Sequence, residues 1–186
     1  MRKIILSLFV LVTSSTAFAQ NQSYWQQHVD YTMDVAMDVK THQYTGTQQL
    51  VYINNSPDAL TRVYYHLFFN GSEMDARLQS IADPDGRMME DKKSRISTLS
   101  PEEMGYLHVT SLKQNGKSVD FKEVGTVLVV ELATPIKAGE KATFDMVFNG
   151  QIPIQIRRSG RDSKEGVALS MSQWYPKLAE YDFEGW

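Results

Sequence analysis

Histidine is the residue type in this sequence with the widest chemical use, and its spacing argues against a metal site. The chain holds four histidines, His28, His42, His66 and His108. A zinc-binding helix places two imidazoles four residues apart in an H-E-x-x-H motif, with the glutamate as base. No such motif occurs in the 186 residues. We therefore assign no metal ligand and no catalytic residue within this chain.

Other catalytic chemistries also lack their local signatures. There is no G-x-S-x-G elbow for a serine nucleophile, and the absence of cysteine removes thiol catalysis and Cys-ligated metals. Asp83-Pro84-Asp85-Gly86 contains a fragment of a calcium loop, but a proline inside it and missing ligand positions favour a tight acidic turn. The net charge of -3, without a basic stripe, argues against a nucleic-acid partner.

The C-terminal stretch concentrates aromatic residues. Two Trp, two Tyr and one Phe lie between Trp174 and Trp186. A domain seldom exposes so much apolar surface. We expect these residues either to pack against a following domain, leaving a bare and self-associating surface on this chain alone, or to form the wall of a binding site. The candidate contact residues are Trp174, Tyr175 and Trp186.

The pattern of residues 1–19 predicts a secretory signal peptide. Arg2 and Lys3 precede an apolar run from Ile4 to Val12, and Ala17 and Ala19 are the small residues of a cleavage site. The run is shorter than the roughly 20 apolar residues of a membrane span. We predict cleavage after Ala19, export to the periplasm or the medium, and no membrane span afterwards.

Residues 20–186 predict one β-rich domain. The segment from Val29 to Lys40 alternates apolar and polar residues with a period of two, which is typical of a strand with one wet face. Asn54 to Asp58 is a turn cluster, and Asn115-Gly116 is a strong hairpin signal. We predict an all-β fold, an antiparallel curved sheet or β-sandwich. The predicted strands are Val29–Lys40, Tyr44–Asn54, Thr61–Phe69, Tyr106–Gln114, Ser118–Glu123, Thr126–Leu132, Lys141–Phe148 and Val167–Gln173.

Two segments interrupt this pattern, and one strand stands apart. Asn70 to Gly105 predicts a long surface excursion, and Gly160 to Gly166 predicts a polar loop. In the third strand, Tyr64 and Phe68 make the second face apolar as well. We expect that strand to be covered on both faces.

The tail also carries a family resemblance. S-M-S-Q-W-Y-P-K-L-A-E-Y-D-F-E-G-W, from Ser170 to Trp186, resembles the end of the N-terminal domain in bacterial members of the aminopeptidase N family of zinc metallopeptidases. The segments Trp25 to Val39, Tyr44 to Asp58 and Leu60 to Asn70 resemble the first three strands of that domain. The resemblance is collinear over nearly all of Trp25 to Trp186.

The resemblance implies a saddle-like β domain that packs on a thermolysin-like catalytic domain, whose zinc motif lies further along the chain. It implies zinc in the full-length parent and none in this chain, and a peptide substrate in the full-length protein. By the same resemblance, Gln173 matches a glutamine that lines the first specificity pocket, and we expect Trp174, Tyr175 and Trp186 to lie at the domain interface. The alternative is a free-standing exported β-sandwich that binds peptide or glycan through those three aromatics.

Overall fold

The computed structural model describes residues 24–70, 99–155 and 159–186, and they fold as an all-β sandwich. The predicted signal peptide and most of the predicted surface excursion, including the Asp83–Gly86 turn, lie outside the described residues. The strands are β1 (His28–Asp38), β2 (Gln43–Ile53), β3 (Leu60–His66), β4 (Tyr106–Gln114), β5 (Lys117–Ser118), β6 (Phe121–Val124), β7 (Val127–Ile136), β8 (Lys141–Gln151), β9 (Gly160–Arg161), β10 (Leu169–Ser170) and β11 (Lys177–Leu178).

The strands form two main sheets and one short hairpin, all antiparallel. The larger sheet has the order β1-β2-β8-β4-β5, the smaller sheet has the order β11-β3-β7-β6, and β9 pairs with β10. Tyr65 of the smaller sheet meets Phe144 of the larger one edge to face, with ring centroids 6.5 Å apart. Both side chains are fully buried. This contact between facing sheets confirms the predicted antiparallel β-sandwich.

In strand β1 the burial of the side chains alternates as the sequence predicts, up to Asp34. Val29, Tyr31 and Met33 are half-buried, whereas the aspartates between and after them are exposed. Val35 departs from the pattern because it is 36% exposed. It lies opposite Gly46 on the neighbouring strand, and β1 is the edge of its sheet, so little side-chain surface is available to cover it.

The strongest turn predictions are confirmed. Asn115 and Gly116 both adopt positive φ, 49° and 80°, as a two-residue type I′ hairpin requires. Asn54 is fully buried in its turn, where its Nδ2 donates to the carbonyls of Asp58 and Ile136 at 2.7 and 2.9 Å. The turn is therefore held from inside the domain.

The predicted single strand Ser118–Glu123 is wrong, because the chain changes sheets within it. Its first part belongs to β5 of the larger sheet and its last part to β6 of the smaller sheet. Val119 lies between the two and is 9% exposed. Its side chain enters the core where the chain crosses from one sheet to the other.

The predicted last strand, Val167–Gln173, is also wrong in extent. Only Leu169 and Ser170 pair, and their partners, Gly160 and Arg161, fall in the segment predicted as a loop. Gln173 lies in a turn with φ of 57°. The third strand ends at His66, so Phe68, which is 36% exposed, lies in the following turn, while Trp186 packs on Tyr64 of β3.

Candidate functional site

The C-terminal tail folds back onto its own domain. Lys177 and Leu178 pair with His66 and Tyr65 and so add an edge strand to the smaller sheet. Leu178 is 6% exposed and belongs to the hydrophobic core. The expectation of a bare aromatic surface is therefore wrong for most of the tail, because its own domain supplies the apolar partners.

Trp174 packs into an aromatic cluster on the larger sheet. Its ring lies 5.8 Å from that of Tyr44 and 6.5 Å from that of Phe148, centroid to centroid. The Tyr44 hydroxyl donates a hydrogen bond of 2.6 Å to the Trp174 carbonyl. Burial raises the pKa of the Tyr44 phenol, so the hydroxyl stays protonated and remains a donor.

Two glycines make room for these rings. In the strand register Gly46 lies opposite Phe148, and Tyr44 lies opposite Gly150. A Cβ at Gly150 would lie 2.8 Å from Cε1 of Tyr44 and still closer to its Cζ and hydroxyl, and one at Gly46 would overlap the Phe148 ring in the same way. Each aromatic ring therefore lies over a position that only glycine can fill.

Tyr175 continues the contact toward β1. Its ring meets Tyr31 edge to face at 5.6 Å, and the Tyr31 hydroxyl accepts a hydrogen bond of 2.9 Å from the Leu178 amide. Burial is the main reason that the pKa of Tyr31 rises to about 12. Tyr31 of β1 thus contacts the tail at two residues, Tyr175 and Leu178.

Gln173 lies between two fixed neighbours. The Ser172 amide donates to the Ser159 hydroxyl at 3.1 Å, and the Trp174 carbonyl is held by Tyr44. Gln173 itself is exposed and adopts φ of 57°. A residue other than glycine in this left-handed region carries strain of roughly 1–3 kcal/mol, which is often found at functional positions. Its amide offers a donor and an acceptor to solvent or to a ligand.

The β9–β10 hairpin is held by contacts of its own, away from Gln173. The Arg161 guanidinium donates to the Glu102 carbonyl at 2.8 Å and pairs with Asp162 at 2.6 Å. Gly160 approaches the backbone of Gln155 so closely that a Cβ would lie 2.5 Å from its Cα. The hairpin is thereby fixed against the end of the larger sheet.

The four predicted site residues fall into two groups. Gln173, Trp174 and Tyr175 are consecutive, and the two aromatic rings touch at 5.4 Å. Trp186, which is 41% exposed, instead packs on Tyr64 and Tyr181 at 5.5 and 5.3 Å. The sequence reasoning missed Tyr44, Phe148 and their glycines, because only the register of β2 and β8 brings them under the tail.

The described residues contain no group of three or more His, Asp or Glu side chains placed to hold a metal ion. In the same part of the chain, no helix has the length and apolar character needed to cross a membrane.

This geometry defines an all-β sandwich with a folded-back aromatic tail. No family model matches the chain, and no curated protein matches it. A crystal structure of an M1 zinc metallopeptidase from Deinococcus radiodurans is similar over 80% of this chain and 26% of its own, with 15% identity and a TM-score of 0.48.

Two further structures are similar to the same degree. A mutant of the Deinococcus radiodurans protein bound to a Tyr-Ser-Ala substrate aligns with 81% of this chain and 27% of its own, with 15% identity and a TM-score of 0.48. A two-domain M1 zinc metallopeptidase mutant bound to L-tryptophan aligns with 82% of this chain and 28% of its own, with 15% identity and a TM-score of 0.47. The chain spans about a quarter of the length of these neighbours.

Proposed function

We propose that this chain is the non-catalytic N-terminal domain of an exported zinc aminopeptidase. In this proposal residues 1–19 are a signal peptide, and residues 20–186 pack on a catalytic domain that carries the zinc and the reacting groups. The proposal starts from the residues of the tail and the first three strands that resemble the aminopeptidase N family.

The observation that carries the proposal is the presentation of Gln173. Its side chain is exposed, its backbone is held at φ of 57°, and both of its neighbours are hydrogen-bonded to the domain. A glutamine that must meet a substrate needs this fixed backbone, because each freedom frozen on binding weakens affinity. In the proposed enzyme the Gln173 amide pairs with the free amine or the backbone of a peptide at the rim of the cleft.

The aromatic residues of the tail have two roles in this proposal: they hold the Gln173 segment, and they contact the catalytic domain. Trp174 and Tyr175 are half-buried, and they hold the Gln173 turn against Tyr44 and Tyr31. Their remaining surface, together with the exposed part of Trp186, is the surface that we assign to contact with the catalytic domain.

The first test is the coding sequence beyond codon 186, which should encode an H-E-x-x-H motif. In the continuous protein, Gln173→Ala should raise KM for aminoacyl amide substrates by about tenfold, the worth of one hydrogen bond in a desolvated site. Gln49→Ala, at another exposed glutamine, on β2, is the control and should leave KM unchanged. A reading frame that closes without the zinc motif, or an unchanged KM in the Gln173 variant, would overturn the proposal.

A further inference from the structure

A second surface feature is a cleft formed by four separate parts of the chain. Its volume is about 510 Å³, within the range of small-ligand sites. The N-terminal segment, the β2–β3 turn, the β7–β8 connection and the tail contribute its walls. The lining residues are Trp25, Asn55, Ser56, Pro57, Asp58, Ala138, Gly139 and Phe183. Gln173 and the residues around it do not line this cleft.

Two aromatic side chains, Trp25 and Phe183, line this cleft. Trp25 is half-buried and stacked on Tyr181, with ring centroids 5.9 Å apart and an interplanar angle of 23°. Phe183 is 77% exposed, which leaves most of a large apolar ring in water. The faces of Trp and Phe rings are negative in their electrostatic potential and attract organic cations.

The cleft also contains a carboxylate without a cation. The Tyr181 hydroxyl donates to Oδ2 of Asp58 at 2.9 Å, and this bond is the main cause of the raised pKa of Tyr181. Among residues 24–70, 99–155 and 159–186, the ion pairs are made by other acidic residues, and none involves Asp58. The Asp58 carboxylate therefore has no cationic partner in the described part of the chain.

The segments around the cleft add further negative charge. Phe183 is flanked in sequence by Asp182 and Glu184, and Gly139 is followed by Glu140. Lys137 and Lys141 are the basic residues next to this wall, against the four carboxylates of Asp58, Glu140, Asp182 and Glu184. The balance of charge therefore favours a cation over an anion.

Hydrogen bonds hold the β2–β3 turn and the N-terminal segment, two walls of the cleft, in place without a ligand. Asn54 donates to the Asp58 carbonyl from the core, and the Asn55 amide donates to Gln27 at 2.8 Å. The Asn55 side chain donates to the Gln26 carbonyl, also at 2.8 Å. These bonds join the N-terminal segment to the turn that carries Asp58, so that Trp25 and the carboxylate keep one relative position.

We propose that this cleft binds an organic cation, the guanidinium or ammonium group of a basic peptide side chain. The cation lies against the rings of Trp25 and Phe183, and Asp58 is its counter-ion. The inference is independent of the proposed function, because it uses none of the residues of the Gln173 turn and needs no catalytic domain.

Isothermal titration of the 186-residue chain with N-acetyl-Gly-Arg-Gly amide, whose only charged group is the guanidinium, and with its neutral citrulline analogue tests this inference. We expect the citrulline peptide to bind at least about tenfold more weakly, and higher salt to weaken the arginine peptide. Argininamide serves as a second probe that separates a small free cation from a peptide side chain. The indole resonance of Trp25 should shift on binding, which places the ligand in the cleft.

Asp58→Asn and Phe183→Ala should each lower affinity for the arginine peptide by about fivefold. Neither should unfold the domain, because asparagine still accepts from Tyr181 and Phe183 is mostly exposed. Phe68→Ala, an exposed aromatic outside the cleft, is the matched control and should bind normally. Equal binding of the citrulline peptide, binding of a neutral oligosaccharide in place of the arginine peptide, or full affinity in the Asp58 variant would each overturn the inference.

Discussion

Replacing Gly150 with alanine tests how the tail is held on the larger sheet. The new methyl group would lie 2.8 Å from Cε1 of Tyr44 and closer to the rest of its phenol, so the ring must move. Overpacking of this kind costs about 1–3 kcal/mol. The displaced hydroxyl also loses its bond of 2.6 Å to the Trp174 carbonyl, which adds about 1 kcal/mol.

The expected loss is therefore about 2–4 kcal/mol in the free energy of unfolding. For a chain of this size it corresponds to a fall in Tm of about 5–15 °C. Urea unfolding followed by tryptophan fluorescence measures it, with the free energy extrapolated linearly to water. Trp174 packs on Tyr44, the ring that the substitution displaces, and therefore reports on the local change.

Tyr44→Phe separates the two contributions. It removes the hydroxyl and leaves the ring, so it should cost only about 1 kcal/mol. In the double variant with Gly150→Ala the second change should add little, because the bond is already broken. Wild-type stability in the Gly150 variant, or equal losses in the two single variants, would refute the packing argument.

Two more predictions concern the tail and β1. Leu178→Ala should lower the free energy of unfolding by about 2–5 kcal/mol, because removing a leucine that is only 6% exposed leaves a cavity in the core. Val167→Ala, at an exposed valine, is the control in urea unfolding. Equal unfolding midpoints for the two variants would contradict the burial of Leu178. Burial raises the pKa of Tyr31 from 10.0 to about 12, so the fold favours its neutral form. That contribution is full below a pH of about 10 and is lost as the pH rises to about 12. Tyr31→Phe should reduce the fall in the free energy of unfolding between pH 10 and about 12. The same pH dependence in the variant and the wild type would contradict the raised pKa of Tyr31.

The sequence predicted the long strands well because their signal is local. Alternation in β1 depends only on which face of one strand meets water, and the hairpin at Asn115 depends on two adjacent residues. The division of Ser118–Glu123 between two sheets has no local signal. Its residues suit a strand in either sheet, and the choice is made by partners elsewhere in the chain.

The same distinction applies to the candidate site. The tail stood out by its composition, and Gln173 by resemblance, but the packing of Trp174 depends on Tyr44, a residue 130 positions away. The glycines that admit the rings have ordinary neighbours in the sequence. Their purpose becomes visible only when the register pairs Tyr44 with Gly150.

The bond between the Leu178 amide and Tyr31 joins residues 147 positions apart, and the stack of Trp25 on Tyr181 closes a similar span. Contacts of such long range form late, because the chain entropy of closing a large loop must be overcome before they stabilise anything. During synthesis the first strand therefore keeps one face half covered until the residues around Leu178 and Tyr181 have emerged. A chain still being synthesised cannot yet make the tail contacts that hold Trp25 and Tyr31 in place.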